Sequence, residues 1–191
     1  LHEGGGLGVA VCGGALFERG SRDAWLEVLC HLLGQDTYFA GTIKGVSKIH
    51  RQSVVDAHGS LAFAKLALLK APMTAVDTLY DRVLPFCEEK CAAVEHILTD
   101  NGLESCGREL QHCFELFLAA NQIQHRRTEV RSPETNGFCG RFHRAVKEEF
   151  FSVAFRETLY ESLDQLQTGL DRYVDFNHPG RIHRGYCTKV S

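Results

Sequence analysis

The stretch QDTYFAGTIKGVSKIHRQSVVDAHGSLAFAKLALL, residues 35–69, is a run of strand-forming segments divided by short turns. It predicts three β-strands, at 36–42, 48–56 and 61–69, because β-branched and aromatic residues cluster there and glycine-containing turns separate them. Strands joined by loops this short are typical of an antiparallel meander. We therefore expect these residues to begin a β-sheet.

The segments that follow alternate between helical and strand patterns. Pro72 opens a helix over 74–90, and Pro85 is expected to bend it. A strand that follows a helix after another strand suggests a parallel crossover. The order of elements, βββαβαβαα, predicts a mixed α/β domain, with later strands at 94–99 and 123–130 and later helices at 109–121, 138–154 and 158–176.

Length and composition limit the class of protein. The chain has 191 residues, of which 44% are hydrophobic and 24% charged, and its formal net charge is −3. These values fit one globular domain and exclude a wholly disordered chain, a collagen or a coiled-coil rod. The slight negative charge excludes a uniformly basic nucleic-acid binder but not a local basic patch. Neither an apolar run of membrane-spanning length nor an export signal is evident, so we expect a cytoplasmic protein without membrane contact.

The composition also divides the chain into three parts. Residues 1–34 form a glycine-rich segment, expected to be flexible, with a short helix predicted from Asp23 to Leu33. Residues 35–176 carry the regular pattern and are the predicted core. Residues 177–191 form a basic tail.

Two carboxylates flank the predicted sheet. Asp36 begins the first strand and Asp100 ends the fourth. If those strands are neighbours, the two side chains could face each other and offer the oxygen ligands that Mg²⁺ prefers. Each also has a simpler interpretation, since Asp36 could be a surface residue and Asp100-Asn101-Gly102 a plain tight turn.

Cysteine and histidine are abundant, with eight and ten residues respectively. No Cys-x-x-Cys pair of the zinc-ribbon type occurs, and a chain without an export signal is expected to keep its cysteines as thiols. A Cys/His zinc-binding interaction module nevertheless stays open as an alternative. Three histidines in or near the basic region could contact phosphate or titrate, or could be ordinary surface or core groups: His125, His143 and His183.

Three later segments together resemble a known family. They are Thr99-Asp100-Asn101-Gly102, the stretch Arg131-Ser132-Pro133-Glu134-Thr135-Asn136-Gly137-Phe138, and Arg141-Phe142-His143-Arg144. Their combination resembles the catalytic core of the DDE transposase and retroviral integrase superfamily, most closely bacterial insertion-sequence transposases. The resemblance extends over most of residues 35–186.

The resemblance implies a ribonuclease H-like fold and a DNA strand transferase that uses Mg²⁺ or Mn²⁺. Its metals are held by an Asp, Asp, Glu triad and drive phosphoryl transfer. By motif match Asp36 is the first carboxylate and Asp100 the second. Gly140 stands where the family has its glutamate, and neither Glu134 nor Glu148 is a convincing substitute. We therefore expect impaired catalysis, with one metal weakly held, as in a degenerate copy.

A basic segment follows the second carboxylate. Between Arg126 and Lys147 six basic residues face only two glutamates, a local net charge of +4. A solvated basic face would explain this pattern, but the resemblance implies contacts to DNA from Arg131, Asn136, Arg141, Arg144 and Lys147. It further implies transposon ends and target DNA as partners, self-association, and a bacterial, nucleoid-associated location. The residues before Asp36 are too few for the helix-turn-helix domain that usually precedes this core, which predicts a truncated copy.

Overall fold

A five-stranded sheet organises the described part of the chain. The computed structural model describes residues 29–43, 47–58, 61–100, 113–128, 137–157, 160 and 162–177. The strand order is β3-β2-β1-β4-β5, with β1 antiparallel to β2 and parallel to β4. The strands are β1 (Leu32–Ile43), β2 (Ser47–Asp56), β3 (Ala62–Ala67), β4 (His96–Thr99) and β5 (Gln124–Arg127). The predicted meander and the predicted parallel crossover are both present.

Helices cover both faces of the sheet. They are α1 (Pro72–Thr78), α2 (Leu84–Glu89), α3 (Cys113–Ala120), α4 (Gly137–Ala145), α5 (Ser152–Glu157) and α6 (Leu163–Asn177), and π-helical turns link α1 to α2 (Leu79–Val83) and α4 to α5 (Val146–Phe151). None of the helices in the described part of the chain is both long enough and apolar enough to cross a membrane.

The predicted bend at Pro85 takes the form of the first π-helical turn. Leu79–Val83 is π-helical and Pro85 follows at the start of α2. Proline has no N–H to donate to the carbonyl of residue 81, and its ring crowds that carbonyl. The wider π turn accommodates both effects without ending the helix.

The two faces of the sheet contact different helices because successive side chains of a strand point to opposite sides. One buried cluster joins the sheet to α1 and α3, and includes Leu33, Val54, Ile97, Leu79 and Leu118. The other joins it to α4, the second π turn and α6, and includes Ile49, Leu66, Val146, Leu166 and Leu170. The sheet is therefore the central layer of three.

A polar network fixes α1 against the two longest strands. Gln35 donates from Nε2 to the Ala75 carbonyl at 3.0 Å, and Gln52 donates from Nε2 to Thr74 Oγ1 at 3.0 Å. Thr37 Oγ1 in turn donates to Gln52 Oε1 at 2.9 Å. Both amides donate to a partner on α1, which offsets part of the cost of burying them, although the buried Gln35 Oε1 has no partner among the described residues.

Side chains from the last two helices, α5 and α6, contact the sheet at β1 and at β3. Gln167 on α6 accepts from the Leu66 N–H at 2.7 Å and donates to the Ala64 carbonyl at 3.2 Å, both on β3. In β1 the register with β2 shifts between Phe39 and Gly41, and Gly41 has a φ of +148°. This positive φ favours glycine, and a Cβ there would lie 3.1 Å from the Phe155 ring, which would have to shift slightly to admit it.

Several predicted boundaries are wrong. The helix predicted up to Leu33 does not extend that far, because Leu32 and Leu33 lie in β1 and Leu33 is completely buried. The core thus begins before Gln35. The last helix starts at Leu163 instead of residue 158. Ser162 caps this start, because its Oγ accepts a hydrogen bond from the Gln165 N–H.

Other segments are shorter than predicted or fall outside the description. The strands predicted at 61–69, 94–99 and 123–130 are β3, β4 and β5, and the helix predicted at 138–154 is the interrupted run 137–157. Residues 1–28 and the tail from 178 onward lie outside the described residues.

The α3 helix offers a direct test of the packing. Leu118 is 1% exposed and lies in the core, whereas Leu116 on the same helix is 52% exposed. We expect Leu118→Ala to lower the free energy of unfolding by about 2–5 kcal/mol, because it leaves a cavity. Leu116→Ala should cost less than about 0.5 kcal/mol. Urea unfolding of the two variants measures both values, and equal losses would contradict this placement of α3.

Candidate active site

Strand register brings Asp36 and Asp100 to the same place. Gln35 pairs with Thr99, the last residue of β4, so the two aspartates each lie one residue beyond this pair. Asp36 is half-buried, and its Oδ1 accepts from the Thr37 N–H at 2.7 Å. Asp100 is exposed. Both line one small cleft, together with Gln35, Thr37, Gln52, Ala75, Thr99 and Phe114.

The Asp100 side of the cleft is held by a chain of polar contacts. His125 contacts Thr99 Oγ1 through Nε2 at 2.7 Å and Glu115 Oε1 through Nδ1 at 2.6 Å. Arg127 donates to the same Glu115 oxygen at 2.6 Å. Burial alone would raise the pKa of Glu115, but hydrogen bonds from Arg127 and His125 outweigh it and lower that pKa. The charged carboxylate therefore ties α3 to β5 beside the end of β4.

The α4 helix approaches the cleft from the other side. His143 is 7% exposed, and its Nδ1 lies 3.5 Å from Asp36 Oδ2. The His143 ring also packs on Tyr38, with 5.2 Å between ring centroids. Gly140 lies one helical turn before His143 and is exposed, and apart from the adjacent helix backbone no atom of the described residues lies within 4 Å of where its Cβ would stand. The space at position 140 is therefore open to a side chain.

Burial keeps the His143 ring neutral. Burial, followed by the cation of Arg51, lowers the pKa of His143 to about 3. The contact with Asp36 is therefore a polar contact at neutral pH and not an ion pair. His143 Nε2 is buried and finds no hydrogen-bond partner within the described part of the chain.

Arg51 is the least expected side chain near the site. It is fully buried, and its Cζ lies 5.4 Å from the ring centroids of Tyr38 and Phe142 and 5.7 Å from that of Phe151. Nε donates to Ser53 Oγ at 2.9 Å, while both Nη atoms lack a hydrogen-bond partner among the described residues. Burial lowers its pKa to about 10, so the guanidinium stays charged at neutral pH behind Asp36 and His143.

The predicted DNA-contacting residues on α4 share the exposed side of the helical run. Arg141, Arg144 and Lys147 are exposed, whereas Cys139, His143 and Val146 are buried against the sheet. Arg131, Asn136 and Glu134 lie outside the described residues, as does His183. Glu148 is exposed in the second π turn.

The sequence did not predict the positions of two residues near the cleft, His143 and Arg51. His143 could have been singled out by its position three residues after Gly140, which places it on nearly the same side of the helix. The sequence indicates the burial of Arg51 only through its place in the inward-facing pattern of β2. Such a place ordinarily predicts an apolar residue and not an arginine.

The donors fit a divalent cation only in part. Two carboxylates are the hard oxygen ligands that Mg²⁺ or Mn²⁺ takes, and Gly140 supplies none. Within the described ranges, three donor side chains close enough to share one ion occur at a different place, His31, Glu95 and His96. Asp36 and Asp100 are therefore the two residues lining the cleft whose carboxylates could hold a cation.

This chain is similar to proteins described as integrases. Residues 121–185 match the family model described as integrase core domain. The curated relative "Putative integrase ORF3" of Spiroplasma virus SpV1-C74 is 30% identical over 118 residues, which cover 58% of this chain. Those residues are 32% of the relative, so the chain spans about a third of that protein.

Solved structures show the same fold. The catalytic core domain of BIV integrase aligns with a TM-score of 0.57 and 16% identity, over 80% of this chain and 86% of that one. The HTLV-2 integrase catalytic core domain, solved with magnesium in a dimeric form, gives 0.59 and 15%, over 81% and 90%. The predicted resemblance and the ribonuclease H-like fold are confirmed, whereas the alternative of a Cys/His zinc-binding module gains no support.

The buried imidazole predicts an acid-sensitive fold. Unfolded histidine titrates near pH 6.5, whereas His143 in the folded protein titrates near pH 3. Between these values the unfolded state binds the extra proton, so stability falls as the pH is lowered from 6.5 toward 3, by up to about 1.4 kcal/mol per pH unit. In metal-free buffer, urea unfolding between pH 7 and pH 5 should show a flatter dependence for His143→Asn. An unchanged slope in that variant would contradict the assignment.

Proposed function

We propose that this chain, which has the integrase catalytic-core fold, binds DNA and a divalent cation as the core of a degenerate integrase or transposase. The observation that carries the proposal is the register of Gln35 with Thr99, which makes Asp36 and Asp100 the first residues past the paired part of β1 and β4. The approach of α4 to Asp36 through His143 supports it further. Because the chain spans only a third of its curated relative, the activity of a whole integrase is part of the proposal.

Asp36 and Asp100 would hold the cation. A bound Mg²⁺ or Mn²⁺ supplies charge stabilisation to a phosphoryl group and lowers the pKa of bound water. The protein's own part is to fix the two carboxylates. The Thr37 N–H and His143 position Asp36, and the contacts among Thr99, His125 and Glu115 hold the end of β4.

Gly140 is the reason to propose impaired catalysis. The position lies on the helix that contacts Asp36, at the motif place of the family glutamate, and brings no carboxylate. Two negative charges compensate a pair of divalent cations less well than three. We therefore propose that one ion is held weakly and that strand cleavage and transfer are slow or lost.

The exposed side of α4 and of the π turn after it is the proposed DNA contact. Arg141, Arg144 and Lys147 project to solvent from the helix that flanks the cleft. Phosphate contacts from such residues give affinity without sequence choice. We include Arg131 and Asn136 in this surface from the motif alone.

Partners and location follow from the same proposal. The HTLV-2 core was solved as a dimer and as a trimer, which supports self-association of this chain. The proposed nucleic-acid partners are transposon ends and target DNA, and the proposed location is the bacterial cytoplasm with its nucleoid.

Restoring the third carboxylate tests the site. We expect Gly140→Glu to raise Mg²⁺-dependent nicking of supercoiled DNA by at least about tenfold, which is about 1.4 kcal/mol of transition-state stabilisation. The open space at position 140 means that the substitution should not destabilise the fold. Adding Asp36→Asn to this variant should abolish the gain.

Gly137→Glu is the matched control, because it places the same side chain one turn earlier on α4. An equal gain from this control, or an unmodified chain that nicks as well as Gly140→Glu, would contradict the proposed role of position 140.

Salt dependence tests the DNA surface. A double Arg144→Ala, Lys147→Ala variant should bind a random duplex more weakly, and the slope of log affinity against log salt should fall by about 1.8, since each lost phosphate contact contributes about 0.9. Fluorescence anisotropy between 50 and 200 mM salt measures this. Arg172→Ala, an exposed arginine on α6, is the control, and an equal loss there would show that general charge and not this surface binds DNA.

A further inference from the structure

Three metal-ligating side chains converge at the end of the sheet opposite to Asp36 and Asp100. His31 directly precedes β1, Glu95 directly precedes the parallel strand β4, and His96 is the first residue of β4. One ligand atom from each of the three lies within 4.8 Å of the others. Asp100 lies four residue steps after His96, about 13 Å along an extended chain, so this cluster is distinct from the cleft described above.

The cluster is held together by the strands. Leu32 pairs with His96 in the parallel ladder, and the His96 N–H donates to the His31 carbonyl at 3.0 Å. His31 Nδ1 lies 3.2 Å from Glu95 Oε2, and the rings of His31 and His96 are 5.3 Å apart in an edge-to-face arrangement. Backbone pairing therefore fixes the separation of the three residues.

One of these residues carries an unmet polar atom. His96 is 8% exposed, and its Nδ1 is buried without a hydrogen-bond partner in the described ranges. Its other nitrogen, Nε2, accepts a hydrogen bond from Arg126 Nη2 at 3.0 Å. A buried donor or acceptor left unmet is costly, and a ligand at this ring would remove that cost.

We propose that His31, Glu95 and His96 bind a divalent transition-metal ion of the zinc class. Two imidazoles and one carboxylate, with a fourth position open to water, are a ligand set that Zn²⁺ takes in proteins. Imidazole ligands favour Zn²⁺ over Mg²⁺, so the site has a different preference from the two aspartates. The site uses no cysteine and adds to the integrase-like core instead of replacing its function.

The side chains need only a small adjustment. Donor atoms that share a tetrahedral ion at about 2.0–2.1 Å lie about 3.4 Å apart. His31 and Glu95 have side chains that are 39% and 56% exposed, so they can rotate, whereas His96 stays fixed in the sheet. The ion would link the residues just before β1 to the start of β4.

Arg126 competes with a metal ion for the His96 ring, because it donates a hydrogen bond to Nε2. If the ion binds Nε2, it displaces the arginine directly. If it binds Nδ1, the ring proton resides on Nε2, which then cannot accept from Arg126. On either nitrogen the guanidinium must leave, and it is exposed enough to turn toward solvent. Its positive charge opposes the cation in both cases.

The test is zinc titration of the full chain after removal of metals with a chelator. We expect one equivalent of Zn²⁺ to bind and raise the melting temperature. Substituted Co²⁺ should give a tetrahedral absorption spectrum without a sulfur-to-cobalt charge-transfer band. Such a band, or the absence of binding, would overturn the proposal.

Variants separate the site from unspecific histidine binding. His96→Gln should weaken zinc binding at least about tenfold, and Arg126→Gln should strengthen it by about tenfold, the scale seen for groups next to a metal ligand. His50→Gln on β2 is the matched control and should bind like the unmodified chain. Since His96→Gln could fail to fold, His31→Gln provides a second loss variant at a partly exposed position. Unchanged affinity in His31→Gln, or weaker binding in Arg126→Gln, would contradict the assignment.

Discussion

The unequal pairing of β1 is the constraint on which the rest of the structure depends. On one side β1 pairs with β2 from Leu33 to Ile43, whereas on the other it pairs with β4 only from Leu32 to Gln35. Beyond Gln35 the pairing with β4 ends, and among the described residues β1 continues beside β2 alone. The cleft opens at this step, and the first residues past it on the two parallel strands are Asp36 and Asp100.

The sequence could predict those parts of the fold that depend on local pattern. The meander, the crossover and the order of elements follow from strand-forming runs, turn residues and helical spacing, all of which act within a few residues of one another. Asp36, Asp100 and the Gly140 position could be proposed because a motif carries them. The early start of β1 could not, because Leu32 and Leu33 sit in a leucine-rich stretch that is equally compatible with a helix.

The missed parts of the site depend on contacts between distant segments. Arg51 looks like a surface arginine in the sequence, but three aromatic rings from β1, α4 and the second π turn enclose it. Its effect on His143 exists only because β2 and α4 pack together. Gly140 shows the reverse case, since its motif position is plain in the sequence while the structure places no packing demand on it. The fold therefore has room for a side chain at position 140, whereas the positive φ of Gly41 favours glycine there.

The two hydrogen bonds from Gln167 to β3 have a consequence for how copies of the chain could meet. An outer strand with unmet N–H and C=O groups invites another strand to add to the sheet. Here the Gln167 amide occupies the Leu66 N–H and the Ala64 carbonyl, as a neighbouring strand would. The opposite outer strand, β5, has only four residues and exposes Arg126 and Arg127. Within the described part of the chain, the Gln167 amide therefore covers part of one border of the sheet, and short length and charge disfavour strand addition at the other.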